Sequence, residues 1–539
     1  MNLKVIYSLQ KTRKFRKNVL WGGDFCIIIK VENEVILLFR RKGRKTGEPR
    51  DFEMKHLTMK KTLLFFLLLA GSCPVLAAPA DLEHNAAEET LNREQEALRE
   101  EAAEKSEDLQ AKNIVVPVGA VEIKGAKRLT EKDARRILPE LFRGQVRIHK
   151  LAQQLQMANE SGAVALHADF HEGSEPGKLA VTLTVLEGKS QHGGIVVSNT
   201  GNEYTGDWRT TASYINTNLS GRLDTLGLAW VTSPDHFEEV QQGAVSYRFS
   251  QPESMSSWNF NGSYSRVDLG NVSPDYLKGI LDYTAKGESM NIGLHYQHYL
   301  AYTSRERDSW NLGLDYQRSI GDYGYTFYSV IPFSESWRQD YHVTTAGLSF
   351  QHLDRGLHHV FYWDAGVATS LDKGSSVYQE VTPGSARQFT LFKGNLLYQY
   401  RTRSNWIFGT RWQGQYSHKH LVSLAQLGAG GQYTVRGFEE RAISADSGVI
   451  GNFEIYTPEL CKGLRLVAFT DFAALSNNTS EDTLCFGNER IASAGLGLRY
   501  ANEKSGLGIS VDYAKIIDDV DYNVNTAARR WNVNCSYRF

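Results

Sequence analysis

The sequence predicts an all-β transmembrane barrel of about 16 antiparallel strands, preceded by a small α+β domain. Three observations predict it. From about residue 189 onward apolar and polar residues alternate with a period of two, as in Leu507-Gly508-Ile509-Ser510-Val511-Asp512-Tyr513, so each strand has one oily and one wet face. The connections between strands are alternately short and long, as expected for tight turns at one membrane surface and loops at the other. The chain closes on Phe539, with Tyr537, Cys535, Val533 and Trp531 before it at two-residue intervals. A soluble β protein shares the alternation but has no reason for the other two features.

Residues 1–58 carry 14 Lys+Arg against 6 Asp+Glu and lie ahead of MKKTLLFFLLLAGSCPVLAAPA, which starts at Met59. Two lysines, an apolar run over Leu63–Ala70 and small residues through Ala80 make a secretory signal peptide at 59–80, cleaved after Ala77 or Ala80. The run is too short to span a bilayer as a helix, which takes roughly 20 residues. Ala70-Gly71-Ser72 is a poor lipobox for Cys73. A signal peptide acts at an N-terminus, so residues 1–58 are expected to be a mis-assigned extension. Beyond residue 80 the chain has 44 Lys+Arg and 55 Asp+Glu, an acidic balance that does not point to nucleic acid as a partner.

Residues 81–112 are rich in Glu, Ala, Gln and Lys, which favour helix yet offer almost no face to bury. A solvated linker and a helical plug for a pore both fit. Residues 113–188 predict a β-α-α-β-β unit. A strand at Ala120–Ile123 is followed by a helix over 130–138 that stops at Pro139, then by one over 148–160 with Ile148, Leu151, Leu155 and Ala158 on one face. Strands Val164–Phe170 and Leu179–Leu186 follow, joined by a turn at Gly173–Gly177.

The barrel occupies 189–539. Strands are predicted near 192–199, 207–216, 224–232, 239–249, 256–268, 283–299, 307–320, 342–353, 358–371, 386–401, 405–417, 447–458, 463–473, 489–500, 506–517 and 528–539. Long connections fall at 321–341, 372–385, 418–446 and 518–527, and the stretch 269–287 leaves room for a further strand. An even strand number returns the C-terminus to the side on which the barrel began.

The longest loop contains Gly430-Gly431-Gln432-Tyr433-Thr434-Val435-Arg436-Gly437-Phe438, and the strand after next contains Phe469-Thr470-Asp471. Period two puts Arg465, Val467, Phe469 and Asp471 on one face and Leu464, Leu466 and Ala468 on the lipid face, so Asp471 points into the lumen. Gly430, Gly431 and Gly437 permit a tight inward return. The planar fork of Arg436 matches a carboxylate that accepts two hydrogen bonds.

The Val435-Arg436-Gly437-Phe438 loop with its Phe469-x-Asp471 partner resembles the hallmark of the superfamily of barrel-assembly insertases and two-partner secretion transporters. The stretches Val197-Ser198-Asn199-Thr200-Gly201, Tyr204-Thr205-Gly206, Asn218-Leu219-Ser220-Gly221-Arg222-Leu223-Asp224 and Asp446-Ser447-Gly448 leading to Glu454 are similar to the haemolysin-activator type within it. The resemblance implies a lumenal loop whose arginine meets the inner-wall acid, and a secreted haemolysin or adhesin as client. It also implies that 113–188 is a periplasmic polypeptide-transport-associated module, whose sheet edge captures the client by strand addition. Those transporters usually carry two such modules, and here one is legible. Trp531, Tyr537 and Phe539 resemble the terminal signal read by the outer-membrane assembly machinery. Expected partners are therefore the client, outer-membrane lipid and, during biogenesis, that machinery; the chain is expected to be monomeric.

No catalytic residues, cofactor or metal ligands are expected. No Ser/His/Asp arrangement stands above chance, and Gly428-x-Gly430 lies between strands with no following helix, so it is not a phosphate site. Cys461, Cys485 and Cys535 form neither a disulfide framework nor a metal motif. His358-His359 and His418-Lys419-His420 read as solvated rim residues. An insertase remains the alternative, though it usually carries more periplasmic modules; a passive porin would lack the loop motif and the module.

Overall fold

The computed structural model describes residues 114–539, apart from 203, 274–278, 329–331, 373–376, 479–487 and 520–529, and the backbone of 25–31, 34–40 and 54–55. The expected signal peptide at 59–80 and helix at 81–112 lie outside the described residues. Residues up to Leu67 form a unit of their own. Within it β1 (Phe25–Val31) pairs antiparallel with β2 (Glu34–Arg40), which pairs with β3 (Met54–Lys55).

The α+β domain comprises β4 (Val115–Lys124), α1 (Glu131–Ile137), β5 (Gln145–Arg147), α2 (Ile148–Asn159), β6 (Val164–Glu172) and β7 (Leu179–Glu187). Its sheet runs β5-β4-β7-β6, with β4 and β7 parallel. Thr130 and Asp133 form a reciprocal capping box at the start of α1, and Pro139 turns the chain into a single 3₁₀ turn. Ala134, Ile137, Leu141, Leu151 and Ala158 pack against Val164, Leu166, Val181, Leu183 and Val185 of the sheet. β5 escaped sequence reading because three residues are too few to show a period.

Glu140 is 2% exposed beneath this core. It accepts from Arg147 Nε at 2.7 Å, Arg147 Nη2 at 2.8 Å and the Arg147 backbone N–H at 3.1 Å. These bonds, side-chain contact first, hold its carboxyl below the usual range against the opposing effect of burial. The stability it contributes is present above its unfolded pKa and is lost as pH falls through the lowered folded value. Glu140→Ala is expected to destabilise the domain by about 2 kcal/mol, read as faster hydrogen exchange of α2 and β7. Unchanged exchange would remove the ion pair from the account.

The barrel strands are β8 (Gln191–Ser198), β9 (Arg209–Asn216), β10 (Thr225–Thr232), β11 (Val240–Gln251), β12 (Ser256–Asn271), β13 (Leu281–Tyr302), β14 (Glu306–Phe327), β15 (Phe333–Arg355), β16 (His359–Ser370), β17 (Thr390–Arg401) and β18 (Ile407–Tyr416). After the short β19 (Leu427–Ala429) and β20 (Ile443–Ala445), which pair only with each other, come β21 (Ser447–Tyr456), β22 (Leu464–Ser476), β23 (Asn488–Asn502), β24 (Leu507–Asp518) and β25 (Trp531–Arg538). Sixteen strands close into one antiparallel barrel, in which β25 pairs with β8. The outward rows are large and apolar: Leu228 and Trp230, Trp310, Leu312 and Leu314, Leu466, Leu496, Trp531 and Tyr537 are all exposed. Water would penalise such a belt, whereas lipid matches it, and closure leaves no backbone edge in the hydrocarbon. No helix among the described residues is long and apolar enough to cross a membrane.

Two sequence expectations are corrected. The stretch 321–341 is mostly strand, because β14 runs to Phe327 and β15 starts at Phe333. Those strands hold 22 and 23 residues, where about 9–11 span a bilayer. Above the lipid nothing demands an apolar row, so the outward positions there are charged (Arg318 with Asp340, Arg338 with Asp322) and read as loop. The stretch 269–287 holds no extra strand among its described residues, only the ends of β12 and β13.

The α+β domain sits on the short turns. Leu223, at φ 57°, reaches into its core, and Met255, at φ 48°, packs with Met157, Tyr299 and Tyr302. Glu160 accepts from Tyr302 Oη at 2.6 Å and pairs with Arg307 and with Arg355, the latter at 3.6 Å. Non-glycine residues in left-handed backbone cost on the order of 1 kcal/mol each, which the burial of their side chains offsets.

Candidate functional site

The connection 417–446 folds into the barrel, not away from it. Its stem is the β19–β20 pair, Leu427↔Ala445 to Ala429↔Ile443. At the base, fully buried Asp446 accepts from His420 Nδ1 (2.8 Å), Leu421 N (2.8 Å), Asn478 N (2.7 Å) and Gln426 Nε2 (3.2 Å). His420 is therefore buried, contrary to the solvated rim position expected for it; its partner is 26 residues away and no local pattern signals it. His418 and His358 are exposed, and His359 lies 3.0 Å from Asp354.

At the turn, Gly430, Gly431 and Gly437 have φ of 118°, 98° and 97°, which only glycine adopts without strain. The Thr434 hydroxyl donates to the Gly430 carbonyl at 2.7 Å and accepts its N–H at 2.9 Å, closing the turn. Val435 and Phe438 are fully buried against Ile450, Ala473, Leu475 and Ile491 of the inner wall. Apolar packing on that side turns Arg436 towards the polar half of the same wall.

Arg436 is 5% exposed. Its Nε donates to Asp471 Oδ2 at 2.7 Å and its Nη2 to Asp471 Oδ1 at 2.8 Å, a bidentate pair, and its backbone N–H adds a third bond at 3.1 Å. Nη1 lies 2.8 Å from Glu454 and 3.5 Å from Asp512, while the guanidinium sits 3.5 Å above the Phe469 ring. Asn452 Nδ2 also donates to Asp471, at 2.8 Å, and Arg499 grips Asp512 at 2.6 and 3.0 Å. Acidic residues of three wall strands, β21, β22 and β24, thus converge on the loop arginine as their common cation, and Arg499 of β23 adds a second cation at Asp512.

Register explains the assembly. Asn452 pairs across from Asp471, Phe469 from Gly495 and Gly497 from Asp512. A Cβ at Gly495 would lie 2.4 Å from the Phe469 ring, and one at Gly497 would lie 1.9 Å from Asp512 Oδ1. Gly497→Ala is therefore expected to displace Asp512 and loosen the loop, read as new protease cleavage between 430 and 442 in otherwise folded barrel; an unaltered cleavage pattern would contradict the packing. The structure brings together Arg436, Phe469 and Asp471 of the sequence motif. Glu454, Asn452, Arg499 and Asp512 were not singled out as its partners, although their parity signals them: a charge within the lipid-spanning part of a strand has to face the lumen.

At the seam, Phe539 exchanges two backbone hydrogen bonds with Gly193, each 3.0 Å, and a Cβ on Gly193 would meet its ring at 2.3 Å. Trp531 and Tyr537 are exposed on the outer face of β25. Cys461 and Cys535 are free and exposed, and Cys485 lies outside the described residues. Among the described residues the one cluster with metal-like spacing is Glu306, Asp308 and His352, where Asp308 and His352 already bond each other at 2.6 Å.

Residues 177–500 match the model of the haemolysin secretion/activation protein ShlB/FhaC/HecB family. The chain belongs to that family. The hemolysin transporter protein HpmB of Proteus mirabilis is 22% identical over 320 residues, 58% of this chain and 54% of that protein, so the chain spans about half the length of this relative. Among solved structures, CdiB from Escherichia coli aligns at TM-score 0.59 and 13% identity, covering 86% of this chain and 99% of that one. CdiB from Acinetobacter baumannii gives 0.59 and 16%, covering 79% and 74%. BamA from Haemophilus ducreyi lacking POTRA domains 1-3 gives 0.51 and 15%, covering 79% and 85%. These three likenesses concern the fold. Family membership and the closed, apolar-belted barrel put the chain in the outer membrane.

Proposed function

We propose that this chain is the transporter of a two-partner secretion system, moving a large secreted polypeptide of haemolysin or adhesin type through its barrel. One observation carries the reading: a loop tipped by Arg436 is fastened inside the lumen to Asp471, Glu454 and Asp512. A passive pore needs no such device. A conduit for unfolded chain benefits from an element that fills the lumen at rest and is held by a few ionic contacts. Family membership and the HpmB relative support the same reading.

In this reading residues 113–188 are a periplasmic polypeptide-transport-associated domain. Its edge strand β6, which among the described residues pairs with β7 alone, offers backbone groups to an unfolded client. Residues 81–112 serve as linker or plug, and 59–80 direct export. Client folding outside the cell would drive transport, since the sequence carries no nucleotide-binding loop. The test is export itself: a strain producing this chain with its partner polypeptide should release that polypeptide, and a deletion strain should retain it in the periplasm. Equal release from both strains would end the reading.

A further inference from the structure

The upper part of β15 is a strand with one side unfilled. β15 pairs with β14 along its whole length, from Phe333↔Phe327 to Asp354↔Glu306, yet its pairing with β16 begins only at Thr345. Just above that point the edge is still used. The Thr344 carbonyl accepts from Leu371 N at 2.8 Å, and the His342 carbonyl accepts from the Tyr378 hydroxyl, on α3 (Val377–Val381). These contacts set the parity: even-numbered residues turn their backbone groups away from β14. Above them Ser334, Ser336, Arg338 and Asp340 present their N–H and C=O groups on the same side, and no backbone partner receives them among the described residues.

This edge stands clear of the membrane. The outward apolar row of β14 ends at Leu314 and that of β15 at Leu348, while the residues beyond carry the Arg318–Asp340 and Arg338–Asp322 pairs. It is at the loop end of the barrel, opposite the turns that seat the α+β domain. Phe333, Ser334, Glu335 and Ser336 are all exposed. On the odd-numbered face Phe333 lies 5.8 Å from Tyr325, and Trp337 stacks on Tyr323 at 5.6 Å, so an aromatic platform adjoins the empty edge.

A long unpaired edge in water invites another strand, and proteins usually blunt or cover it. Backbone groups at strand spacing are satisfied in full only by extended polypeptide. We propose that residues 334–340 of β15 are a strand-acceptor for polypeptide leaving the barrel, which adds to β15 with alternate apolar side chains laid on the Phe333–Trp337 face. This rests on the transport reading for the identity of the occupant: a chain emerging at this mouth arrives extended, with its own backbone unpaired.

Proline tests the edge cleanly. At 336 and 338 the N–H points away from β14, so Ser336→Pro with Arg338→Pro removes edge donors without breaking the β14 ladder. The probe is a ten-residue alternating Thr/Val peptide with a fluorophore, added to the purified full chain in lipid nanodiscs. It should slow hydrogen exchange at 334, 336, 338 and 340. The double proline variant should weaken peptide binding at least tenfold, and Arg338→Ala, which keeps the backbone, should change it less than twofold. Heat-modifiable gel mobility checks that each barrel is closed. Peptide binding untouched by proline, equal loss in Arg338→Ala, or edge amides already protected by a second copy would each overturn the proposal. Absent export by the wild-type chain would instead sink the transport reading; normal export with no peptide at the edge would sink this one.

Discussion

Replacing Arg436 with Ala is expected to stop export of the client while the barrel stays closed and inserted. Among the described residues the guanidinium is the only cation in contact with Asp471, and it also faces Glu454 and Asp512. Without it Asp471, which is fully buried, keeps the Asn452 amide and the loop N–H as its side-chain partners among the described residues. Leaving a buried carboxylate uncompensated costs roughly 3–5 kcal/mol, enough to change the occupancy of the docked loop by more than a hundredfold. The barrel itself is held by its ladders and lipid belt, which the substitution does not touch. Arg436→Lys keeps the charge but not the fork that binds both Asp471 oxygens, so an intermediate loss is expected. Client released into the medium, normalised to heat-modifiable barrel, reads the effect; release at the wild-type level would show that the loop contact plays no part in transport.

Gly193→Val should lower the amount of closed barrel at least tenfold. The β25–β8 seam has five register pairs, Asn534↔Ser198 to Arg538↔Gly194, against seven on the other side of β25. Two further bonds come from the Asn199 side chain, to the Trp531 carbonyl and from the Val533 N–H, both 2.8 Å. The last closure is made by Gly193 and Phe539, and the Phe539 ring occupies the space of any Gly193 side chain. A branched residue there must eject the ring and part the strands at the end of the seam. Immunoblots of unheated outer membranes measure this, and wild-type levels of the fast-migrating form would refute the role given to the seam. If Trp531, Tyr537 and Phe539 are also read during assembly, removal of Phe539 should reduce insertion further than Gly193→Val does.

Lipid is why so much of the barrel was legible. A strand in a bilayer must set polar and apolar residues on opposite faces, so the period survives in the sequence over every span, down to β25. Where lipid stops, so does the rule: β14 and β15 continue into water with charges outward, and 321–341 looked like a loop. The Arg436–Asp471 contact was readable because a short motif on a glycine-rich loop met a carboxylate whose parity faces inward. The rest of the network depends on which inward charges come within reach after the loop folds back, a matter of register across β21 to β24. Asp446 and His420 show the same limit, since the bond between them is made by tertiary closure of the loop base.

The most direct test is to place a photo-crosslinking amino acid in the barrel wall and stall a client in transit with a folded C-terminal fusion. Gln413 faces the lumen on β18 and its neighbour Trp412 faces outward, against Phe453 and Phe472. Crosslinks to the stalled client from position 413 but not from 412 are the expected result. Crosslinks from 412 alone, or none from 413 while the client is demonstrably stalled, would show that polypeptide does not pass through this cylinder.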